Sequence, residues 1–325
     1  MEEFLADRQQ AVVVNGCKSN KIHVRSGVPQ GSVLGPCLFL AYINDLPSRV
    51  KSNTRLFADD TAVDRKIKSS DDAKSLQADL DALAKWEDEW DMSFHPDKCT
   101  VMHISRSRTK AEPDYYLHGQ KISKVKKAKY LGVTLQDDGD WDEHINTVVN
   151  AGNKTLGFIR RNLRVNSIST KSLAYKMLVR PKLEYASPVW DPYKIDQINK
   201  IEKVQRRAAR VAVNRHRNTS SVSDMLSDLE WDTLERRRKD ARLTLLYKVQ
   251  NGKASIRCPD LKPAIIRSRR SSTAHSKQLD RCYCKNDYRL NAFFPRTIKD
   301  WNSLPEEAVN ATCHDTFRAK VSCLA

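Results

Sequence analysis

Asp59 and Asp60 are adjacent carboxylates set between two short apolar or β-branched runs, Thr54 to Ala58 before them and Thr61 to Val63 after. Such runs predict two strands, with the aspartate pair at a tight turn between them and Phe57 and Ala58 giving it an apolar approach. Carboxylates drawn out of water are costly unless a cation neutralises them, so the pattern points to a metal held by oxygen ligands. The dipeptide alone says little, because it recurs at Asp71-Asp72 and Asp137-Asp138. For the turn by itself an ordinary solvated turn is the plainer reading.

Upstream lies a second unusual stretch, Gly27-Val28-Pro29-Gln30-Gly31-Ser32-Val33-Leu34-Gly35-Pro36. Its glycines break regular structure and allow a nucleic-acid strand to come close to the backbone, while the Gln30 amide can both donate to and accept from a base or sugar edge. Pro36 suits the first turn of a helix, where a missing N–H costs nothing. Leu34, Leu38, Ala41 and Tyr42 recur at helical spacing, which predicts a helix that buries this face and ends near Asp45-Leu46-Pro47.

The remaining elements follow from pattern. Ala11 to Asn15 and Lys21 to Val24 predict a hairpin around a turn-rich Gly16 to Asn20. From Asp71 a long acidic amphipathic helix is expected, with Ala73, Leu76, Leu80, Leu83 and Trp90 on its core side and Ser69 or Ser70 as its cap. His95 to Cys99 then turns into a strand, Val101 to Ile104. Further strands are expected at Tyr115 to Leu117, Lys121 to Ile122 and Lys129 to Leu135. Helices should cover Ile145 to Leu163, Thr170 to Arg180 and Ile195 to Val213, with more beyond Leu226. In the third of these, Lys203, Arg206, Arg207 and Arg210 form a basic stripe opposite Ile201, Val204, Ala208 and Val211. That division lets a helix pack on a core while presenting cations to a nucleic-acid backbone. Arg215 to Ser223 is polar and basic and is expected to be a linker, and Arg257 to Lys277 a mobile loop.

The Pro29-Gln30-Gly31 block and the Phe57-Ala58-Asp59-Asp60 block, with Tyr42-Ile43-Asn44-Asp45-Leu46-Pro47 between them, resemble those of reverse transcriptases, and specifically the non-LTR (LINE-type) retrotransposon enzymes. The resemblance implies an α+β fold: a truncated polymerase palm, an antiparallel sheet with helices, over 1–140. A basic helical thumb-like region over 141–214 and a helical, loop-rich C-terminal region over 215–325 would follow. It implies RNA-directed DNA synthesis by two-metal nucleotidyl transfer with Mg2+ on Asp59 and Asp60. Gln30, Gly31 and Phe57 would meet nucleotide or template, and Lys98 would stand near the leaving pyrophosphate. Tyr130, Leu131 and Gly132 resemble the primer-gripping turn, whose flanking lysines could hold phosphates. An RNA template, a DNA primer or RNA–DNA hybrid, and deoxynucleotides are the implied partners.

Two departures bear on activity. The family draws another metal-binding aspartate from an earlier palm strand, and Glu2, Glu3 and Asp7 are not in an apolar strand context. The isolated chain is therefore expected to be inactive, and a non-catalytic RNA or DNA binder using the basic helices is the alternative. Asp64 also stands where the family usually keeps an apolar or aromatic residue.

Composition agrees with a polyanionic partner. The 325 residues carry 57 Lys and Arg against 40 Asp and Glu, a formal charge of +17. Residues 151 to 220 hold 16 bases and 4 acids, whereas residues 57 to 97 hold 12 acids and 5 bases. The 8 cysteines are scattered, with no CxxC pair, which fits reduced thiols better than a disulfide or zinc framework. The start is acidic and not leader-like, and the longest apolar run, between Ser32 and Asn44, is too short to span a bilayer. A soluble intracellular protein of nucleus or cytoplasm, without membrane contact, is the expectation.

Overall fold

The computed structural model describes residues 5–24, 26–107, 112–215, 221–256, 261–264 and 275–324. The expected linker at Arg215 to Ser223 and the expected loop at Arg257 to Lys277 fall largely outside these residues. The chain divides into two units, residues 1–126 and 127–325. The fold is α+β, and its strands pair as six two-stranded ladders, five antiparallel and one parallel, rather than as one continuous sheet among the described residues.

The first unit opens with a nested hairpin. β1 (Gln9–Gln10) pairs with β4 (Ile22–His23), and β2 (Val13–Val14) with β3 (Cys17–Lys18) across Asn15 and Gly16. Cys17 and Lys18, expected in the turn, are therefore ladder residues. Between the two ladders the return strand has Ser19, Asn20 and Lys21 opposite Ala11 and Val12. The extra residue makes a bulge, closed where the Ser19 hydroxyl accepts from the Val12 amide at 2.9 Å.

Helix α1 (Leu34–Ile43) forms where expected but buries a different face. Gly35 and Ile43 are buried and Phe39 packs partly, whereas Leu34, Ala41 and Tyr42 stay exposed. The helix is apolar nearly all round, so its sequence offers little contrast by which to choose a face. Its partner makes the choice. Helix α2 (Ser70–Trp90) brings Leu83 and Trp86 against Ile43 and Leu46, and the Trp86 indole N–H donates to Asp45 Oδ1 at 3.1 Å.

A capping box starts α2: the Ser69 hydroxyl accepts from the Asp72 amide at 3.3 Å, and Asp72 Oδ2 accepts from the Ser69 amide at 3.0 Å. The helix also buries two carboxylates outside its apolar stripe. Asp79 accepts from the Lys51 and Ser52 amides, both at 2.9 Å, and so ties α2 back to the segment that enters the strand Asn53–Phe57 ahead of it in the chain. Burial works to raise the Asp79 pKa, but these amide hydrogen bonds, the Ser52 hydroxyl and nearby Arg65 outweigh it and hold the carboxyl below its ordinary value.

The second unit is mostly helical. Its first elements, β11 (Lys127–Tyr130) and β12 (Val133–Gln136), make a hairpin that lies beyond the division between the units. Helix α3 (Asp142–Asn162) then packs on α7 (Ile195–Val213), each close to its expected span. Their close approach needs Gly152, where a β-carbon would lie 2.7 Å from Leu183 Cδ2 and 3.3 Å from Val204 Cγ1. The expected helix at Thr170 to Arg180 runs from α4 (Ile168–Ala174) through a π turn (Tyr175–Val179) into α5 (Arg180–Glu184). Tyr175, buried there, stacks on Trp231 at 4.2 Å and donates to Gln205 Oε1 at 2.6 Å.

Further along, Leu243, Leu246 and Tyr247 of α9 (Leu234–Gln250) form a second core with Ile298, Trp301 and Phe317. Trp301 is the aromatic anchor of the C-terminal tail, fully buried with its N–H donated to the Lys277 carbonyl at 2.8 Å. A buried ion cluster joins the parts. Asp191 Oδ1 accepts from Arg238 Nε at 2.8 Å, Asp191 Oδ2 accepts from Arg242 Nε at 2.7 Å, and Arg296 Nη1 donates to the Asp191 carbonyl at 3.1 Å.

Candidate functional site

The β5 (Asn53–Phe57) and β6 (Asp60–Asp64) strands form the most regular ladder of the first unit, with Phe57 opposite Asp60 and Asn53 opposite Asp64. The turn is therefore Ala58 and Asp59, one residue earlier than the sequence suggests, and Asp60 opens the returning strand. Ala58 takes a left-handed backbone, φ +50°, which a two-residue hairpin turn requires and which costs an alanine about 1–2 kcal/mol. The ladder rests on α2 through Leu56 and Val63.

Burial is where expectation and structure part. Phe57 is 60% exposed and Asp59 and Asp60 are both exposed, so the approach is not desolvated. The turn closes the free end of a two-stranded ladder, and no described residue of the unit buries it. Asp64, the unexpected charge, is compensated: Arg55 forms an ion pair with it from the partner strand, and the Asn53 side-chain amide donates to it at 3.1 Å.

The Gln30 loop is built by backbone constraints. Gly31 has φ +79°, and the Ser32 hydroxyl donates to the Pro29 carbonyl at 2.8 Å while accepting from the Gly35 amide at 2.9 Å. Gly35 closes against the same carbonyl, 2.7 Å from where a β-carbon would stand. Gln30 is left exposed at the tip. Lys98 lies exposed in the turn after α2, its amide donated to the His95 carbonyl at 2.9 Å, and no hydrogen bond or ion pair joins its side chain to Asp59 or Asp60. Asp7 lies in a turn at φ +47°, and Glu2 and Glu3 are outside the described residues.

In the second unit, Leu131 and Gly132 form the two-residue turn of the β11–β12 hairpin, both at positive φ, with Tyr130 opposite Val133. Of the flanking lysines, Lys127 meets Glu143 at 3.5 Å, and Lys129 is exposed without an ion pair among the described residues. On α7, Ile201, Val204 and Ala208 are buried, while Lys203, Arg206 and Arg207 are exposed and Arg210 is half-buried.

As metal ligands, Asp59 and Asp60 supply hard oxygen donors open to water, which fits a divalent ion completed by waters and substrate phosphates. Among the described residues no group of three His, Cys, Asp or Glu side chains could enclose an ion. The seven described cysteines are free thiols, and no helix among the described residues is long and apolar enough to cross a membrane.

Residues 1–135 match the reverse transcriptase (RNA-dependent DNA polymerase) family. The chain is 31% identical over 222 residues to the RNA-directed DNA polymerase from mobile element jockey of Drosophila melanogaster, across 65% of this chain and 24% of that protein. The matched stretch is similar to the reverse transcriptases of non-LTR retrotransposons. The probable RNA-directed DNA polymerase from transposon X-element of the same fly is 27% identical over 220 residues, again across 65% of this chain and 24% of the relative. The Pol polyprotein from type-1 retrotransposable element R2 of Popillia japonica is 28% identical over 165 residues, 43% of this chain and 26% of its own. The chain thus spans about a quarter of the length of these relatives. No solved structure matches it significantly.

Both motif blocks lie inside the matched stretch. Sequence reasoning missed Arg160, Asn153 and Tyr185, which stand beside the expected basic stripe and turn.

Proposed function

We propose that this segment supplies the carboxylate hairpin and nucleic-acid-binding helices of an RNA-directed DNA polymerase, with palm over 1–140, thumb over 141–214 and a C-terminal region over 215–325. The observation that carries the proposal is the two-residue turn that presents Asp59 and Asp60 to solvent at the end of a regular ladder, within the stretch that matches the family. Asp59 is the first ligand and Asp60 the second, for magnesium by preference, since magnesium takes oxygen donors and leaves positions to substrate phosphates. The bound ion would activate the primer hydroxyl and stabilise the leaving oxygen.

The chain's own residues position the substrates. The Pro29 to Ser32 turn offers backbone and the Gln30 amide to the template or nucleotide, and Phe57 is a further contact for it. The Leu131-Gly132 turn, with Tyr130 and Lys129, holds the primer strand. Lys98 donates a proton to the departing pyrophosphate. RNA template, DNA primer or hybrid, and deoxynucleotides are the partners, in nucleus or cytoplasm.

The isolated chain is inactive on this reading, because two exposed carboxylates without a third acidic neighbour among the described residues hold one ion weakly. Primer extension on an RNA template with magnesium tests this. No extension is expected; templated extension that Asp59→Ala abolishes would overturn the inactivity while keeping the polymerase assignment. A purified chain that binds neither magnesium nor nucleic acid at low salt sinks the whole reading.

A second reading, a non-catalytic RNA or DNA binder, is favoured by one observation: the α7 cations Lys203, Arg206, Arg207 and Arg210 have no ion pair among the described residues. It expects salt-dependent binding that survives Asp59→Ala.

A further inference from the structure

Between α3 and α7 lies a cleft of about 400 Å³. Asn153, Gly157 and Arg160 line it from α3 at i, i+4 and i+7, so they share one face, and Arg207, Arg210 and Val211 line it from α7. Its depth comes from Gly157. A β-carbon there would meet only the flexible end of Arg161, at 3.3 Å, so the missing side chain leaves open space instead of a packed contact.

Several arginines of the same unit are neutralised by carboxylates, unlike the cations around this cleft. Arg180, Arg236, Arg237, Arg238, Arg242 and Arg296 each meet a carboxylate within 4.0 Å. Arg160, Arg207 and Arg210 meet none among the described residues. Arg207 is instead steered by a neutral partner, donating from Nη1 to Asn153 Oδ1 at 3.0 Å across the helix pair, which fixes the side chain and leaves its charge uncompensated. Arg210 has its Nε buried without a hydrogen-bond partner. Water screens the exposed Arg160 and Arg207, but a buried donor left unmade is costly, so the Arg210 Nε and the two charges beside it favour an anion at the cleft. Leu156, Gly157 and Val211 add an apolar floor beside the cationic rim.

We propose that this cleft seats one nucleotide of a nucleic-acid strand, its backbone phosphate on Arg160, Arg207 and Arg210 and its sugar on the floor beside Gly157. A floor too small for a base pair and a rim of forked donors suit a single strand gripped by its backbone without sequence preference. The inference rests on the nucleic-acid reading above and assigns it a definite place, bringing in Arg160, Asn153 and Gly157 from outside the basic stripe of α7.

The test measures fluorescence anisotropy of a labelled single-stranded RNA oligonucleotide against the full chain over a salt series. Arg207→Ala/Arg210→Ala should weaken binding about tenfold and lower the slope of log affinity against log salt by about 1. Lys285→Ala/Lys299→Ala removes the same charge from exposed positions elsewhere in the unit and should change affinity less than twofold. Gly157→Leu is decisive, since it fills the cleft without altering charge or helix propensity unfavourably, and it should weaken binding as much as the arginine pair. If Gly157→Leu binds like the unaltered chain, or the lysine pair costs as much as the arginine pair, the cleft is not the seat, although the chain still binds nucleic acid. If the unaltered chain does not bind, the broader nucleic-acid reading fails with it.

Discussion

The Tyr185 ring lies over Gly132, with Cε1 only 3.1 Å from where a β-carbon on that glycine would stand, and the Tyr185 hydroxyl donates to the Leu131 carbonyl at 3.1 Å. The turn of the β11–β12 hairpin is thus held from a helical segment more than fifty residues away in sequence. Gly132 also takes φ +81°, so both space and backbone demand glycine. Gly132→Ala should destabilise the second unit by about 1–2 kcal/mol, read from urea unfolding. Tyr185→Phe, which removes only the hydrogen bond, should cost about 0.5–1.5 kcal/mol. Equal stability of both variants with the unaltered chain would mean the ring does not hold the turn.

Gly35 makes a similar demand in the first unit. A methyl group placed 2.7 Å from the Pro29 carbonyl oxygen must displace backbone, because no flexible side chain is there to give way. Gly35→Ala should cost about 1–3 kcal/mol and loosen the loop that carries Gln30, seen as faster proteolysis near residue 30. Unchanged proteolysis and stability would contradict the tight packing of loop on helix.

Asp191 is the shared acceptor for Arg238 and Arg242 and lies 3.3 Å from Arg296. Removing its charge leaves buried guanidinium groups uncompensated. Asp191→Asn should destabilise by about 3–5 kcal/mol in urea unfolding, much more than the exposed Asp71→Asn, and a loss below 1 kcal/mol would show that the cluster is compensated elsewhere.

His144 should make stability depend on pH. It is buried against Trp190, with centroids 5.1 Å apart, and Nδ1 accepts from the Thr134 amide at 3.2 Å, which requires the neutral ring. Burial pushes its pKa below the ordinary histidine value. The unfolded chain therefore binds the proton first, so the contribution is full above about pH 6.5 and is lost as pH falls toward the folded value. Urea midpoints of the unaltered chain should decline between about pH 7 and 5 more steeply than those of His144→Gln. Parallel curves would remove His144 as the cause.

Much of the local structure was legible in the sequence because its causes are local. Ser69 and Asp72 announce the start of α2 by their spacing, and the two faces of α7 differ so sharply that Ile201, Val204 and Ala208 could only turn inward. The Pro29-Gln30-Gly31 and Phe57-Ala58-Asp59-Asp60 blocks marked the family from side-chain identity and order alone, as the match over residues 1–135 bears out. Tertiary structure decided what depends on a distant partner. α1 is apolar on every side, so Trp86 and Leu83 determined that Ile43 and not Leu34 is buried. The exposure of Asp59 and Asp60 depends on what the fold packs against the hairpin end, which no spacing encodes. Among the many arginines of a basic chain, only packing separated Arg238, neutralised by Asp191, from Arg160, Arg207 and Arg210, which line a cleft without a carboxylate among the described residues. Charge is a property of the residue, whereas its compensation belongs to whatever the fold brings within about 4 Å of it.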